Sequence, residues 1–255
     1  MNYAVIDGHV HCGKQSRYPA QDFEDYRREL VGSAVSGAVM FPPVMEIYDR
    51  YDPEFEDDDF WRQKRRRANQ YLLTLDGPDF RVFPFFFIWN DFAVDQLTPA
   101  HRGIKWHRHP DEPRYRYDDP CCAAAIREIR RRRLLVCLEE ELSHTLDFIT
   151  RAADGVRVVI PHCGLLNGGF QSLVDHGVWD RPNVFADTAL APPALIRTYV
   201  ERYGHERIFF GSDFPFGHPQ GELLKVLRLG FSEEIDAAIL GQTILDLLAA
   251  DNQSS

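Results

Sequence analysis

The sequence has no hydrophobic run long enough to cross a membrane as a helix. Its longest apolar stretch covers residues 83–89, well below the roughly 18 residues that a spanning helix needs. The first residues also lack the basic segment and apolar stretch that are typical of a signal peptide. We therefore expect a protein that neither spans a membrane nor carries a secretion signal.

Cysteine and lysine are both scarce. The five cysteines show no CxxC spacing, which argues against a zinc ribbon or a redox motif. Unpaired, reduced thiols are typical of a cytoplasmic protein, and that is the location we predict. Lys and Arg together number 29 against 39 Asp and Glu, for a net charge of −10. An acidic surface repels polyanions, so neither nucleic acid nor an anionic membrane is an expected partner.

The composition is otherwise that of a globular protein. Of the 255 residues, 44% are hydrophobic and 27% are charged, which excludes a disordered or collagen-like chain. A chain of this length can bury a large core without disulfide bonds. No linker, repeat or low-complexity segment divides it, and we predict one domain over residues 1–255.

Short apolar runs alternate with segments of helical periodicity. Strands are predicted at residues 3–6, 35–41, 85–89, 103–106, 134–138, 157–160, 183–185 and 207–210. Helices are predicted at residues 22–31, 60–75, 121–133, 143–152, 170–176, 193–203, 221–229 and 233–250. Nearly continuous apolar strands are typical of a parallel sheet that is covered on both faces. Eight such units in 255 residues predict an α/β protein with a (β/α)₈ TIM barrel. A doubly wound sheet is the alternative, but no GxGxxG follows the first strand.

Polar side chains follow the apolar part of most predicted strands. They are Asp7, His9, His11, Lys105, His107, Glu139, His162, Asp187 and Asp213. Alternation along a strand places the side chains of His9 and His11 on the same side, where two imidazoles can share one metal ion. Barrels carry their sites at the carboxyl ends of the strands. The joint pattern therefore predicts one convergent site at that end.

Several of these segments resemble a known family. Asp-Gly-His-Val-His at residues 7–11 resembles the opening signature of the amidohydrolase superfamily. Four further segments resemble the amidohydrolase-related group that includes the aminocarboxymuconate semialdehyde decarboxylases: residues 103–110, 117–120, 161–164 and 210–215. Residues 239–242 resemble its last-helix signature, with Gln242 where Asn is usual. The resemblance runs from about residue 3 to 249 and implies a distorted, single-domain barrel.

The resemblance also implies one divalent metal ion, usually zinc, at the mouth of the barrel. Its motif positions fall on His9, His11, His162 and Asp213. The family usually has a histidine on the fifth strand, where this chain has Glu139. Glutamate is an oxygen ligand that suits zinc or manganese. The expected ligands are therefore His9, His11, Glu139 and Asp213, although a weakened or lost metal site stays open.

This constellation predicts a metal-dependent hydrolase of an ester, lactone or amide. A divalent ion makes water more acidic and polarises a carbonyl. Asp213 would take the proton of the water as a base, and His162 would stabilise the oxyanion or protonate the leaving group. A non-oxidative decarboxylase of an unsaturated or aromatic acid is one alternative. A barrel that has lost its metal and binds a small molecule is another.

Arginines around the fourth strand suggest a small substrate that carries a carboxylate. Arg binds carboxylate in a bidentate manner. The candidate substrate-binding residues are Lys105, His107, Arg108 and Arg114. A solvated loop is the competing interpretation, since the chain uses Arg 25 times and Lys only four times. The sequence leaves open whether the chain forms homo-oligomers.

Overall fold

Eight parallel strands form one sheet in a computed structural model that describes residues 3–14, 21–75, 77 and 79–249. The strands follow one another around the sheet in chain order: β1 (Val5–His11), β2 (Val35–Phe41), β3 (Arg81–Phe87), β4 (Gly103–His107), β5 (Leu135–Glu139), β6 (Val158–Ile160), β7 (Val184–Asp187) and β8 (Ile208–Phe209). The segment after β8 returns to β1, where the Gly8 amide donates to Phe210 O at 2.8 Å. This closure confirms the predicted (β/α)₈ barrel.

Helices pack against the barrel. They are α1 (Phe23–Glu29), α2 (Asp59–Leu72), α3 (Pro120–Arg132), α4 (Leu142–Asp147), α5 (Phe170–Asp175), α6 (Pro193–Tyr203), α7 (Pro219–Leu227), α8 (Glu233–Ala237) and α9 (Thr243–Ala249). Between β3 and β4 the described chain forms only a 3₁₀ turn, Val94–Gln96. The barrel is distorted at that point. No helix among the described residues is long and apolar enough to cross a bilayer.

Aspartates at the helix starts explain why several helices begin where they do. Asp58 accepts a hydrogen bond from the Trp61 amide at 2.9 Å at the start of α2. Asp119 does the same for the Cys121 amide at 2.8 Å, just before the first-turn proline of α3. Each carboxylate satisfies an amide that the first helical turn leaves free.

Two strands differ from their predicted bounds by more than two residues at one end. β1 continues from the predicted end at residue 6 to His11, because its pairing with β2 runs on to Phe41. β3 covers Arg81–Phe87 rather than residues 85–89. Its end is fixed by Asn69 of α2, which bonds the Phe87 amide at 2.8 Å and the Phe87 carbonyl at 3.1 Å.

The core has two layers. One lies between the strands and the surrounding helices. The other fills the barrel interior with alternate strand residues such as Val39, Phe85, Leu135 and Val159, and Ile244 of α9 packs against it. Because α9 follows the last strand and covers this inner layer, the cavity of the barrel opens at the carboxyl ends of the strands.

Candidate active site

Three polar side chains meet where the first and last strands adjoin. His9 Nε2 lies 3.3 Å from Asp213 Oδ1, and His11 Nε2 lies 3.1 Å from the same oxygen. His162 joins them, since its ligand atom and those of His9 and Asp213 all lie within 4.8 Å of one another. All four residues are buried. The structure thus brings together His9, His11, His162 and Asp213.

His9 and His162 each use Nδ1 for a hydrogen bond, which leaves Nε2 of each ring available to another partner. His9 Nδ1 donates to Asp187 Oδ2 at 2.7 Å, and His162 Nδ1 donates to Ala189 O at 3.0 Å. Nε2 of each neutral ring therefore carries a lone pair. His9 Nε2 is buried and makes no hydrogen bond to any described residue. An unsatisfied lone pair in this position suits a metal ion, and the Asp187 contact is the usual support for a ligating histidine.

Electrostatics keep His9 neutral. Burial lowers the pKa of His9 to about 4, and Lys105 nearby acts in the same direction. Burial opposes ionisation of Asp187, but His9 and His162 outweigh it and hold the pKa of that carboxyl below its ordinary value. Burial raises the pKa of Asp213, although the neighbouring histidines oppose the shift. A neutral imidazole is the form that binds metal.

Two site residues have left-handed backbone conformations. His162 has φ 58° and Asp213 has φ 57°, a region that residues with a side chain rarely adopt and that clusters at functional sites. Asp213 lies four residues beyond the end of β8, rather than at the predicted strand end. It is held instead by β1, since its amide donates to His9 O at 2.8 Å. Gly211 permits this approach, because a Cβ there would lie 2.8 Å from the Cβ of His9.

Glu139 points into the barrel but has several partners of its own. Its Oε2 lies 2.9 Å from Lys105 Nζ and 3.2 Å from His107 Nδ1, and its Oε1 lies 2.8 Å from His109 Nε2. His162 Nε2 is 3.9 Å away. Burial opposes ionisation, yet His107 and Lys105 hold the pKa of Glu139 well below its ordinary value. Its role as a metal ligand stays a prediction.

Glu140 faces the opposite way. Its Oε1 accepts from the Tyr117 hydroxyl at 2.9 Å, and its Oε2 lies 3.1 Å from Arg108 Nε. The register that points Glu139 inward is therefore the one expected from the sequence. Arg108 is fully buried in this outer network, where it also pairs with Glu141 at 3.1 Å.

A cavity of about 380 Å³ lies above the four convergent residues. Its polar lining includes His11, His107, His109, Glu139 and Asp213. Its apolar lining includes Val44, Met45, Leu166, Leu190 and Phe216. Among the described residues that line it, Arg50 is the only Lys or Arg. The cavity can hold a small, largely apolar molecule that carries one anionic group.

The predicted substrate-binding residues divide into two groups. His107 lines the cavity. Lys105, Arg108 and Arg114 do not line it. Lys105 is buried against Glu139 and lies over the Phe41 ring at 4.4 Å. Arg114 is exposed and borders a separate surface depression.

Arg50 and His109 also line the cavity but were not among the predicted site residues. Arg50 lies in the long loop after β2, which spans residues 42–58 and comes near the cavity. The length of this loop could have indicated a functional role, because loops longer than about 12–15 residues are often functional. His109 continues the alternation of Lys105 and His107 beyond the end of β4, and that spacing could have indicated that it faces the same side.

The chain belongs to the Amidohydrolase family, whose model matches residues 6–249. This confirms the resemblance seen in the sequence motifs. Members of the superfamily usually bind a divalent metal ion. A comparison with curated proteins finds no match.

Solved structures share the fold at low sequence identity. A candidate 2-pyrone-4,6-dicarboxylic acid hydrolase from Pseudomonas putida has a TM-score of 0.67 and 18% identity, covering 98% of both chains. The 2,6-dihydroxybenzoate decarboxylase from Rhizobium has a TM-score of 0.71 and 14% identity, covering 98% of this chain and 100% of that one. The 5-carboxyvanillate decarboxylase from Sphingomonas paucimobilis has a TM-score of 0.69 and 13% identity, covering 97% and 99%.

Proposed function

We propose that the protein is a metal-dependent hydrolase of a small, carboxylate-bearing ester, lactone or amide. The observation that carries this proposal is the buried meeting of three imidazoles and the Asp213 carboxylate at the base of a cavity. His9, His11 and Asp213 would hold the ion, with His162 and Glu139 beside them. The donor separations of 3.1 and 3.3 Å are close to the edge of a zinc tetrahedron, about 3.3–3.4 Å for ligands at ~2.0–2.1 Å.

The ion and the side chains would divide the chemistry between them. A divalent ion bound there supplies Lewis acidity, which polarises a carbonyl and makes water more acidic. Asp213, when ionised, accepts the proton of the attacking water. Nε2 of His162 carries a lone pair while Nδ1 donates to Ala189 O. It can therefore pass a proton to the leaving group only after it has taken one up.

Arg50 supports the proposal of an anionic substrate. Its guanidinium lines a cavity whose other walls are largely apolar, and its side chain is 25% exposed. A carboxylate that enters this cavity could pair with Arg50 while its ester, lactone or amide carbonyl lies over Asp213. Arg50 would thus take the role in substrate binding that was predicted for Arg108 and Arg114.

Decarboxylation of an unsaturated or aromatic acid is the second candidate. Two of the similar solved structures are named as decarboxylases, with TM-scores of 0.71 and 0.69. The apolar walls favour it as well, because removing a carboxylate from water can promote loss of carbon dioxide.

Metal reconstitution followed by a substrate screen tests the proposal. Protein stripped by a chelator is reloaded with zinc or manganese and offered carboxylate-bearing lactones, esters, amides and unsaturated acids. Acid release and carbon dioxide are both assayed. We expect metal-dependent acid release. Carbon dioxide release would favour the decarboxylase, and failure to bind any transition metal would favour a metal-free binding barrel.

Replacing the base tests the role of Asp213. Asp213→Asn keeps the size of the side chain but cannot accept the proton, so kcat should fall by about 10²–10⁴-fold while the circular dichroism spectrum stays unchanged. The exposed Asp180 provides the matched control, and Asp180→Asn should leave kcat unchanged. Full hydrolytic turnover by Asp213→Asn would show that another group is the base.

A further inference from the structure

We propose that the chain carries a second transition-metal site, formed by His107, His109 and Glu112, and that the side chain of Arg50 competes with the metal for it. His107 is the last residue of β4, and His109 and Glu112 follow it. His107 and His109 line the cavity. They are distinct from the group of His9, His11, His162 and Asp213. The proposal concerns metal binding and does not depend on which reaction the protein catalyses.

The donor atoms are spaced as a metal ion requires. One atom each from His107, His109 and Glu112 lies within 4.8 Å of the other two. Glu112 Oε2 is 3.9 Å from His107 Nε2, and Glu112 Oε1 is 3.7 Å from His109 Nδ1. Ligands at ~2.0–2.2 Å from an ion at tetrahedral to wider angles are about 3.3–4 Å apart. The observed spacing falls within that range.

Glu139 supports both imidazoles from the opposite side. It lies 3.2 Å from His107 Nδ1 and accepts from His109 Nε2 at 2.8 Å. This orientation directs His107 Nε2 and His109 Nδ1 toward Glu112. A carboxylate behind a ligating histidine fixes its tautomer and strengthens it as a ligand. Glu139 would thus serve the second site through its histidines.

His107 is the residue of this group whose surroundings best suit a metal ion. It is 3% exposed, and its Nε2, on the side away from Glu139, makes no hydrogen bond to a described residue. A buried imidazole without such a bond is costly unless something else binds it. Glu112, by contrast, is held in place, since its carboxylate accepts from the Tyr48 hydroxyl and from the His109 amide.

Arg50 supplies the positive charge of this cluster in the structure. Its Nη2 lies 2.7 Å from Glu112 Oε1 and 3.3 Å from His109 Nδ1. The second contact shows that His109 Nδ1 presents a lone pair to a cation. A metal ion at this position would have to displace the guanidinium. Affinity for metal is therefore limited by Arg50, and removing Arg50 should increase it.

The number of zinc ions bound per chain, measured by equilibrium dialysis, tests the proposal. Chelator-stripped protein is dialysed against buffered Zn²⁺ and its zinc content is measured by elemental analysis. Arg50→Met should lower the Kd of the second ion by about tenfold or more, because a nearby unit charge of the same sign is gone. At a suitable free Zn²⁺ concentration the variant then holds one more ion per chain than the wild type. His107→Gln or Glu112→Gln, each added to Arg50→Met, should remove that extra ion.

The controls separate this site from the first one. The exposed His176, which caps the end of α5 and bonds to Ser172 O, is changed to Gln and should leave the count unchanged. A His9→Gln, His11→Gln double substitution removes two ligands of the first site, and the extra ion of Arg50→Met should persist in it. An unchanged count in Arg50→Met, or an extra ion that survives both His107→Gln and Glu112→Gln, would overturn the proposal. If no ion bound at the group of His9, His11, His162 and Asp213 while the extra ion of Arg50→Met did bind, only the proposed function would be contradicted.

Discussion

At the scale of single residues, Asp187 orients two members of the candidate site at once. Its Oδ2 accepts from His9 Nδ1 at 2.7 Å, and its Oδ1 accepts from the His162 amide at 2.8 Å. In Asp187→Asn the amide group can turn an N–H toward His9 and favour the wrong tautomer. We expect zinc affinity to fall by about 10–100-fold. Competition with a chelator measures it, with the exposed Asp154→Asn as control; equal affinities would contradict this role.

We expect His101 to make the free energy of unfolding depend on pH. Burial lowers its pKa to about 4, and Arg132 nearby acts in the same direction. Unfolding restores the ordinary value of 6.5, so the unfolded chain binds more protons between these two values. The contribution of the neutral His101 to the free energy of unfolding is therefore fully present above pH 6.5. It declines as the pH falls toward 4, by up to about 3 kcal/mol.

A substitution isolates this contribution. His101 Nδ1 accepts from the Thr98 amide at 3.0 Å, and Asn can offer its Oδ1 for the same bond without titrating. His101→Asn should therefore flatten the dependence of the unfolding free energy on pH between 4 and 6.5. Denaturant unfolding at several pH values measures it. A slope equal to that of the wild type would show that other groups cause the acid sensitivity.

Individual residues could be predicted from the sequence only where strand alternation decides their direction. His9 and His11 share a side because they are two residues apart on one strand. Arg108 follows His107, so the same alternation directs it to the other side, where it pairs with Glu140 just after the end of β5. Arg50 comes from a loop whose path depends on long-range contacts.

At the scale of elements, Arg65 of α2 anchors the loop of residues 42–58 that carries Arg50. Its Nη2 lies 2.8 Å from Asp57 Oδ2 and 2.7 Å from Asp91 Oδ2, and its Nη1 donates to Ile47 O at 2.9 Å. Arg65→Met would leave both carboxylates without this partner. Because these carboxylates are partly exposed, we expect a loss of about 2–3 kcal/mol of unfolding free energy, below the value for a fully buried pair.

The same change should affect substrate binding more than turnover. A displaced loop moves Arg50 but leaves Asp213 in place, so KM should rise while kcat changes little. Arg62 of the same helix is 54% exposed and also faces Asp57, which makes Arg62→Met the matched control with a small effect on both quantities. An unchanged KM in Arg65→Met would argue against Arg50 as the anion partner.

Most elements were predictable because buried strands and amphipathic helices have distinct periodicities. β2 and α6 match their predicted bounds. The ends of β3 and β8 did not follow from local sequence. In β3, the Asn69 side chain takes the hydrogen bonds of Phe87. After β8, the chain leaves its sheet partner β7 and bonds to β1. Both depend on residues that are distant along the chain.

At the scale of the whole molecule, metal binding should stabilise the barrel. An ion that binds only the folded chain adds about 2.7 kcal/mol at a free concentration of 100 times its Kd. We expect zinc to raise the Tm of chelator-stripped protein by several degrees, and Asp213→Asn to reduce that rise. Differential scanning calorimetry with and without zinc measures it. A Tm that zinc does not change would contradict a metal site that exists only in the folded chain.

The contacts between β1 and the segment after β8 indicate when the candidate active site forms during folding. Asp213 and His9 are joined by a hydrogen bond at 2.8 Å, and the His11 amide donates to Phe214 O at 2.9 Å. More than two hundred residues separate these partners, and contacts of such separation are costly to form early. During refolding, zinc affinity should therefore emerge with the last barrel contacts, after most secondary structure has formed. The time course of zinc binding in a stopped-flow refolding experiment would then report when the barrel closes.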